Sequence, residues 1–498
     1  MLATVHTSCL RGVQAFPVLI EAKTAAGLPS VDAVGLPDRI GRDCLVRVRA
    51  ALSACGVAMP KQRVVLNFAP GDQPKAGTSF DLPVAIAIAA LAGHVDPDVL
   101  HRILLIGELG LEGEIRPTRG ALALVGGAAA GGLEAAIVPA SSARECSLVD
   151  SVRVMGARTL KQVLAHLNEV EALARAEPPA MAKRTEGPDL ADVRGQPAAR
   201  RALEICAAGN HPLLMIGPPG AGKTMLAMRL PTILPAASPR QRLTIATISS
   251  ASGRTRLERP FRAPHHTATS VAMMGGGRPV RPGEVTLAHE GVLFLDELPE
   301  FRRDVIETLR TTMEEGCVRI VRAAERVTMP AAPLVIGAMN PCPCGYDGDE
   351  QRACVCGAER MARYRGRVSG PLIDRFDMHV RLRRVSAARL RRTKSGESSE
   401  AVRARVEAAR GIRPPAHALP ELLACCEPPA LKLLDAVTEQ LGLSARGYVR
   451  ALRVALTIAA LEGRDRVAEP HAAEAVQYRL LDRRPSVSRP RAPEPLSP

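Results

Sequence analysis

Tryptophan is absent from this chain of 498 residues, and aromatic residues of all kinds make up 2% of it, with 4 Tyr and 7 Phe. Cores therefore have to be built from Ala, Leu, Val and Ile. A groove that holds single strands by stacking bases on aromatic platforms is disfavoured for the same reason. Also missing is any apolar run of the roughly 18 residues that a membrane helix needs. The longest, Leu82 to Gly93, is about 12 residues and reads as a buried helix. The start of the chain has no basic stretch, apolar stretch and small-residue cleavage site of a secretory signal. These absences predict a cytoplasmic protein with reduced thiols. Its 12 Cys are then core thiols, redox groups or metal ligands rather than a disulfide framework.

What is present fits soluble globular protein: 46% hydrophobic and 23% charged residues. The length suggests about three domains, each large enough to bury a core. Net charge is +15, unevenly spread. Met1 to Ala180 holds 17 basic and 17 acidic residues, whereas Arg360 to Arg410 holds 15 basic and 5 acidic. Arg dominates that surplus, and Arg suits phosphate recognition. A solvated surface accounts for the same composition.

Residues 1–170 alternate short apolar strands with Ala-rich helical stretches. "RVVLNFAP" and "ILLIGELG" read as strands, "FDLPVAIAIAALAG" and "ALALVGGAAAGG" as helices. Residues 171–188 turn polar and Pro-containing, which suits a linker. In residues 189–392, "HPLLMIG", "GVLFLDELPE" and "PLVIGAMN" are apolar runs that each end in a polar or glycine-rich cluster. That pattern describes an α/β domain with a parallel sheet and its site at the strands' carboxyl ends. Residues 393–480 are helical, notably "YVRALRVALTIAALEG", and the Pro-rich residues 481–498 read as a disordered tail. No internal repeat is visible.

"GPPGAGKT" (Gly217, Pro218, Pro219, Gly220, Ala221, Gly222, Lys223, Thr224) fits the P-loop pattern at every fixed position, between a strand-like run and a helix start. Glycines let backbone N–H groups approach phosphates, Lys223 would reach the β and γ oxygens, and the Thr224 hydroxyl would ligate Mg2+. "VLFLDE" lies downstream, with Asp296 73 positions after Lys223. Asp296 is expected to hold the Mg2+, and Glu297 to polarise the attacking water as general base. Asn340, ending the next apolar run, would orient that water as a polar sensor of the γ-phosphate. Arg375 in "SGPLIDRFD" is a candidate arginine finger, and Arg446 in "LSARGYVRALRVA" a phosphate contact from the lid side. For both Arg, a surface ion pair is the plain alternative.

With these elements in order, the sequence resembles the AAA+ ATPases, and in particular the Mg-chelatase-like ComM/YifB competence family. The matching stretches include "DVRGQ", "RPFRAPHHTATS", "GGGRPVRPGEVTLAHEGVLFLDELPEF", "MNPCPCGY" and "SGPLIDRFDMHV" in the second half, and "NFAPGDQPKAGTSFDLPVA" and "GELGLEGEIRPTRG" in the first. The resemblance implies an N-terminal domain similar to the Lon protease fold, an AAA+ module and a helical lid. It implies a homohexameric DNA motor that drives branch migration in natural transformation, with ATP and Mg2+ bound between subunits and Arg375 acting in trans. Gln196 in "DVRGQ" would lie near the adenine. Metal-chelatase motor subunits share the branch and are the first alternative; an ATP-binding regulator without DNA activity is the second.

Protease activity is not expected. Ser79 in "PKAGTSFD" stands where the similar Lon motif has its nucleophile, but the matching base position falls near Leu122, and Ala121 to Leu133 contains no Lys or Arg. A Ser with no base remains an ordinary alcohol.

Cys342, Cys344, Cys354 and Cys356 form C-x-C, nine residues, C-x-C in loop 341–357. Four thiolates suit Zn2+, although the one-residue spacers are shorter than the usual two to four; reduced thiols beside Asn340 are the alternative. His265 and His266 are adjacent, so they do not share a face and a two-His metal site is disfavoured; a polar loop role, with DNA as one partner, is expected. Gly253 to Gly283 looks inserted into the sheet. "CVRIVRAAERVTMP" reads as a hairpin carrying Arg319, Arg322 and Arg326, which would grip DNA phosphates or pair with acids.

Overall fold

A computed structural model describes residues 2–179, 187–322, 325–386, 391–392, 395–412, 418–479 and 481. The inner part of the expected linker and nearly all of the expected tail lie outside them.

The first 170 residues build a seven-stranded mixed sheet. Its order is Val31–Val34, Arg63–Ala69, Gln14–Ala25, Leu2–Arg11, Ile103–Leu105, Ala135–Pro139, Arg153–Ala157. Helices cover both faces. On one lies Asp81–Leu91, apolar all round and buried at every residue, as a helix without a polar face must be. On the other lies Ala121–Ala130, which keeps its helix despite Gly126 and Gly127; Gly127 allows the helix to approach Ala15 closely. "ILLIGELG" is not one strand. Ile103–Leu105 joins the sheet, and Glu108–Leu109 turns away to pair with Ile115–Arg116.

The second unit is a five-stranded, wholly parallel sheet in the order Phe261–Arg262, Val292–Leu295, Leu334–Met339, Leu213–Ile216, Met378–Arg381. All three runs singled out by sequence are its central strands. Alternate residues serve opposite cores, because successive side chains on a strand point to opposite faces. Leu213, Met215, Val292 and Phe294 pack against helix Pro197–Gly209 and the carboxyl-terminal helices. Leu214, Ile216, Leu293 and Leu295 pack towards helices Pro239–Ala251 and Arg303–Glu315. The lid helices Ser399–Ile412, Pro428–Leu441, Ala445–Leu461 and Glu469–Gln477 thus share one continuous core with the sheet.

Gly253 to Gly283 is not wholly an insert: its Phe261–Arg262 is the sheet's edge strand. The rest forms helix Ser270–Met274 and the small pair Gly275–Gly276 with Arg281–Pro282. Cys317–Arg322 and Glu325–Pro330 form the expected antiparallel hairpin. It leans on the first domain, where Arg11 donates to Arg326 O at 2.7 Å and faces Glu325 at 3.5 Å.

One buried charge pair anchors the first domain. Asp81 is fully buried at the head of its helix, held by Arg47 Nε and Nη2 at 2.6 and 2.9 Å and by the Leu109 N–H at 3.1 Å. Burial pushes the Asp81 carboxyl up, and Arg47 pulls it back. Removing only the cation strands the carboxylate. Arg47→Met is expected to destabilise the domain by about 3 kcal/mol or more, seen as a lower urea midpoint by circular dichroism. Arg63→Met, which breaks the exposed pair with Asp32, should cost less than about 1 kcal/mol.

Candidate nucleotide site

Parallel strands all deliver their carboxyl ends to one edge of the sheet. Leu213–Ile216 there runs into Gly217–Gly222, and helix Lys223–Ala227 starts directly after. The loop needs its glycines. Gly220 and Gly222 have φ of +76° and +90°, and a Cβ on Gly217 would come within 2.8 Å of Leu382 O. Gln196 is buried rather than exposed, and its amide donates to Ala221 O at 3.1 Å and Arg383 O at 2.7 Å. It staples the P-loop to the chain beyond Met378–Arg381.

The functional side chains converge. Lys223 Nζ donates to Gly217 O (2.7 Å), Pro218 O (3.2 Å) and Asn340 Oδ1 (3.0 Å). Burial lowers the ammonium's pKa, offset by Asp296 and Glu297. The Thr224 hydroxyl donates to Asp296 Oδ2 at 2.8 Å. Hydroxyl and carboxylate together are the donor pair expected for Mg2+, and Lys223, held by carbonyls and an amide, can turn to phosphate oxygens. The residues therefore fit a Mg–nucleotide complex. Asn340 ends strand Leu334–Met339, and its backbone N–H donates to the Tyr364 hydroxyl oxygen.

Glu297 sits in the left-handed region at φ +52°, a conformation uncommon for a non-glycine residue. Its carboxylate is half exposed and lies 3.2 Å from His266 Nδ1. That partner was not foreseen. His266 follows the edge strand Phe261–Arg262, whose two residues leave no legible periodicity. The His265 and His266 rings lie 4.1 Å apart, centroid to centroid.

Arg375 and Arg446 are brought together, but at the other end of the sheet. Both line a cavity of about 620 Å³ with Arg450, Arg453, Asn210 and Pro333. Asn210 and Pro333 precede strands Leu213–Ile216 and Leu334–Met339, so this is the amino edge. A four-residue strand spans about 13 Å, which separates these Arg from the Lys223 of their own chain. Arg375 is buried and paired with Glu314. Burial lowers its pKa, as do the neighbouring Arg446, Arg450 and Arg310. Arg375 Nε and Arg450 Nη1 are buried with no acceptor in the described chain.

The remaining candidates divide. The four cysteines of loop 341–357 meet, with their sulfurs within 4.8 Å of one another. Of the hairpin Arg, Arg319 faces Glu315 at 3.4 Å and Arg322 donates to Gly277 O at 2.7 Å. Much of the 360–410 surplus is spent on acids: Arg363 on Glu359, Arg365 on Asp347, Arg367 on Glu300, Arg383 on Glu350 and Arg405 on Glu397. Ser79 is buried beside a cavity of about 110 Å³ that also touches Thr78, Thr118 and Arg119, with no Lys or His in its lining. Lys75, four residues earlier, is buried and donates to Pro70 O and Gln73 O. No helix among the described residues is long and apolar enough to cross a membrane.

A P-loop, an acidic pair one strand removed, an Asn sensor on the strand between them and a helical lid, on a parallel sheet of this order, define an AAA+ nucleotide hydrolase. Three families match along the chain: "Magnesium chelatase, subunit ChlI" at residues 189–390, "Subunit ChlI of Mg-chelatase" at 20–142, and "Magnesium chelatase, subunit ChlI C-terminal" at 396–479. The chain is 39% identical to YifB of Escherichia coli and 40% identical to YifB of Salmonella typhimurium, over 97% of this chain and 98% of each relative. It is 38% identical, at the same coverage, to the competence protein ComM of Haemophilus influenzae. The chain belongs to the Mg-chelatase-like ComM/YifB family and is an AAA+ ATPase of that type.

The geometry separates binding from chemistry. Lys223→Ala should abolish binding of a fluorescent ATP analogue. Glu297→Gln should keep binding and lower kcat for ATP hydrolysis by about 10²-fold or more. Equal loss of binding in both variants would contradict the assignment of Glu297 as base.

Proposed function

We propose that the protein is a homohexameric DNA motor that couples ATP hydrolysis to branch migration. The observation that carries this reading is the split of the site. Lys223, Thr224, Asp296, Glu297 and Asn340 stand at the carboxyl edge of the sheet, while Arg375 and Arg446 face a cavity at the amino edge. Buried guanidinium N–H groups without acceptors call for an anion. The phosphates held by a neighbour's P-loop supply one in a head-to-tail arrangement, which closes into a ring when the rotation allows.

Within that site the chain's own groups divide the work. Lys223 draws negative charge from the β and γ oxygens. Thr224 and Asp296 would hold Mg2+, which would supply positive charge against the phosphates. Glu297 accepts a proton from the attacking water, and His266 fixes the carboxylate's direction. Asn340 orients that water. Arg375 and Arg446 of the next subunit stabilise the charge that develops on the transferring phosphoryl group. In the same reading the four-thiol loop carries Zn2+, and the protein works in the cytoplasm on single-stranded or branched DNA without reading sequence. The basic balance of the chain supports a polyanionic partner. The matched families' descriptions favour a second reading, a motor for metal chelation, in which ATP turnover would ignore DNA.

Two measurements test the proposal. Lys223→Ala and Arg375→Ala should each be inactive alone. Mixed in equal amounts they should regain about a quarter of wild-type ATPase activity, the share of intact interfaces expected from random head-to-tail assembly; no recovery would refute action in trans. Forked DNA should raise ATP turnover, and its apparent affinity should fall with salt at a log–log slope of about −0.7 to −0.9 per phosphate neutralised. A turnover indifferent to every DNA offered would refute the motor.

A further inference from the structure

Loop 341–357 runs from the sensor strand to helix Ala358–Arg365 with no regular secondary structure, and few backbone bonds hold it, such as Gly345 N–H to Cys342 O and Asp349 N–H to Tyr346 O. Its four thiols nonetheless form one cluster. Cys342 is fully buried, and the sulfurs of Cys342, Cys344 and Cys354 are 3.4, 3.5 and 3.6 Å apart. Cys356 Sγ completes a set in which no separation exceeds 4.8 Å. Bonds of about 2.3 Å from Zn2+ to four sulfurs give a tetrahedron with edges of about 3.8 Å. A disulfide would need about 2.05 Å. The one-residue spacers are no obstacle, because residues i and i+2 of an extended chain share a side. Val355, between two of the cysteines, points outward and is 83% exposed. Four sulfurs without carboxylate or carbonyl select zinc over magnesium or calcium.

The cluster is tied to the catalytic edge at several points. Cys342 lies two residues beyond Asn340. Pro341 O accepts from Arg365 Nε at 3.1 Å, and the Asn340 backbone N–H donates to the Tyr364 hydroxyl oxygen. Gly345, at φ +86°, lets the loop backbone rest on the P-loop: a Cβ there would lie 2.6 Å from Pro219 Cδ. Of the Lys223 partners only Asn340 adjoins the loop; Gly217 O and Pro218 O, like the Asp296 partner of Thr224, lie outside it.

We propose that Cys342, Cys344, Cys354 and Cys356 bind one Zn2+ as four thiolates, and that this metal positions Asn340 against the P-loop, so that it governs ATP hydrolysis and not ATP binding. The role of the metal rests on the P-loop ATPase reading. Metal binding supplies order that this loop's backbone does not, and the part of the site that depends on it is the sensor.

The test uses the full chain. Purified without chelator, it should contain one zinc per chain by elemental analysis. Titration with a mercurial should release that zinc as four thiols react, and Co2+ exchanged into the protein should show the thiolate charge-transfer and d–d bands of a tetrahedral four-sulfur site. Cys354→Ser should lose the metal; kcat should fall about tenfold or more, as when the surroundings of a functional metal are disturbed, while affinity for a fluorescent ADP analogue stays within about twofold. Retained analogue binding separates this result from misfolding. Tyr364→Phe, which releases Asn340 without touching a thiol, should lower kcat with zinc content unchanged, and Val355→Ala should change neither. A wild-type chain without zinc, or a Co2+ form lacking those bands, overturns the site. Zinc-free protein with unchanged kcat, or with kcat and analogue affinity lost in proportion, overturns the positioning role. Absence of ATP turnover in zinc-loaded wild-type protein would instead sink the functional reading, and the positioning role with it.

Discussion

A sheet of strands that all run one way has two chemically different ends, and this constraint orders the rest of the molecule. The carboxyl edge collects Lys223, Thr224, Asp296, Glu297 and Asn340, because each lies at or just past the end of its strand. The amino edge collects Arg375, Arg446 and Arg450 around an open cavity. One holds acids, an amide and Lys223; the other holds guanidinium groups, with Glu314 and Asp377 among the nearby acids. The strands keep the two sets apart as firmly as they keep each set together.

The core that fixes these edges also ties the lid to them. His211 precedes Leu213–Ile216 and bonds Asp377 and Thr457, both at 2.8 Å. Thr457 belongs to the lid helix Ala445–Leu461, and Asp377 follows Arg375 by two residues. Arg479, near the end of the described chain, donates to Phe376 O at 2.7 Å. A buried polar chain of this kind is stable only while each member keeps its partner. Rotation of the lid therefore has to carry the Arg375 segment with it or break that chain.

Much of this was legible in the residues. "GPPGAGKT", "VLFLDE" and "PLVIGAMN" each join an apolar strand to a chemical cluster, and all three became central strands with their polar ends on one edge. The Lys223–Asn340 and Thr224–Asp296 contacts follow from that arrangement. Other features left no local trace. Phe261–Arg262 is too short for periodicity, so an edge strand read as part of an insert, and its follower His266 was not connected with Glu297. Arg446 was expected to contact phosphate from the lid side, but spacing along a helix does not say which edge of a sheet that helix caps. The charge surplus near Arg360 to Arg410 looked like a basic face, whereas much of it faces acids brought in from Asp347, Glu300 and Glu350. Buried or paired, a charge counts differently from the same charge in a composition table.

The contact between the hairpin and the first domain has a mechanical meaning. Gly12, in the turn between Leu2–Arg11 and Gln14–Ala25, sits so close that a Cβ would lie 2.6 Å from Val327 Cγ1, and Val13 joins the core beneath the nucleotide-binding sheet. Helix Ala121–Ala130 packs likewise on Ala246 of helix Pro239–Ala251. The amino-terminal sheet is thus seated on the hydrolase at two separate footings, like a yoke. Any tilt of the hairpin arrives at a stiff seven-stranded plate rather than at a loose tether, which makes the plate a lever arm for whatever it touches.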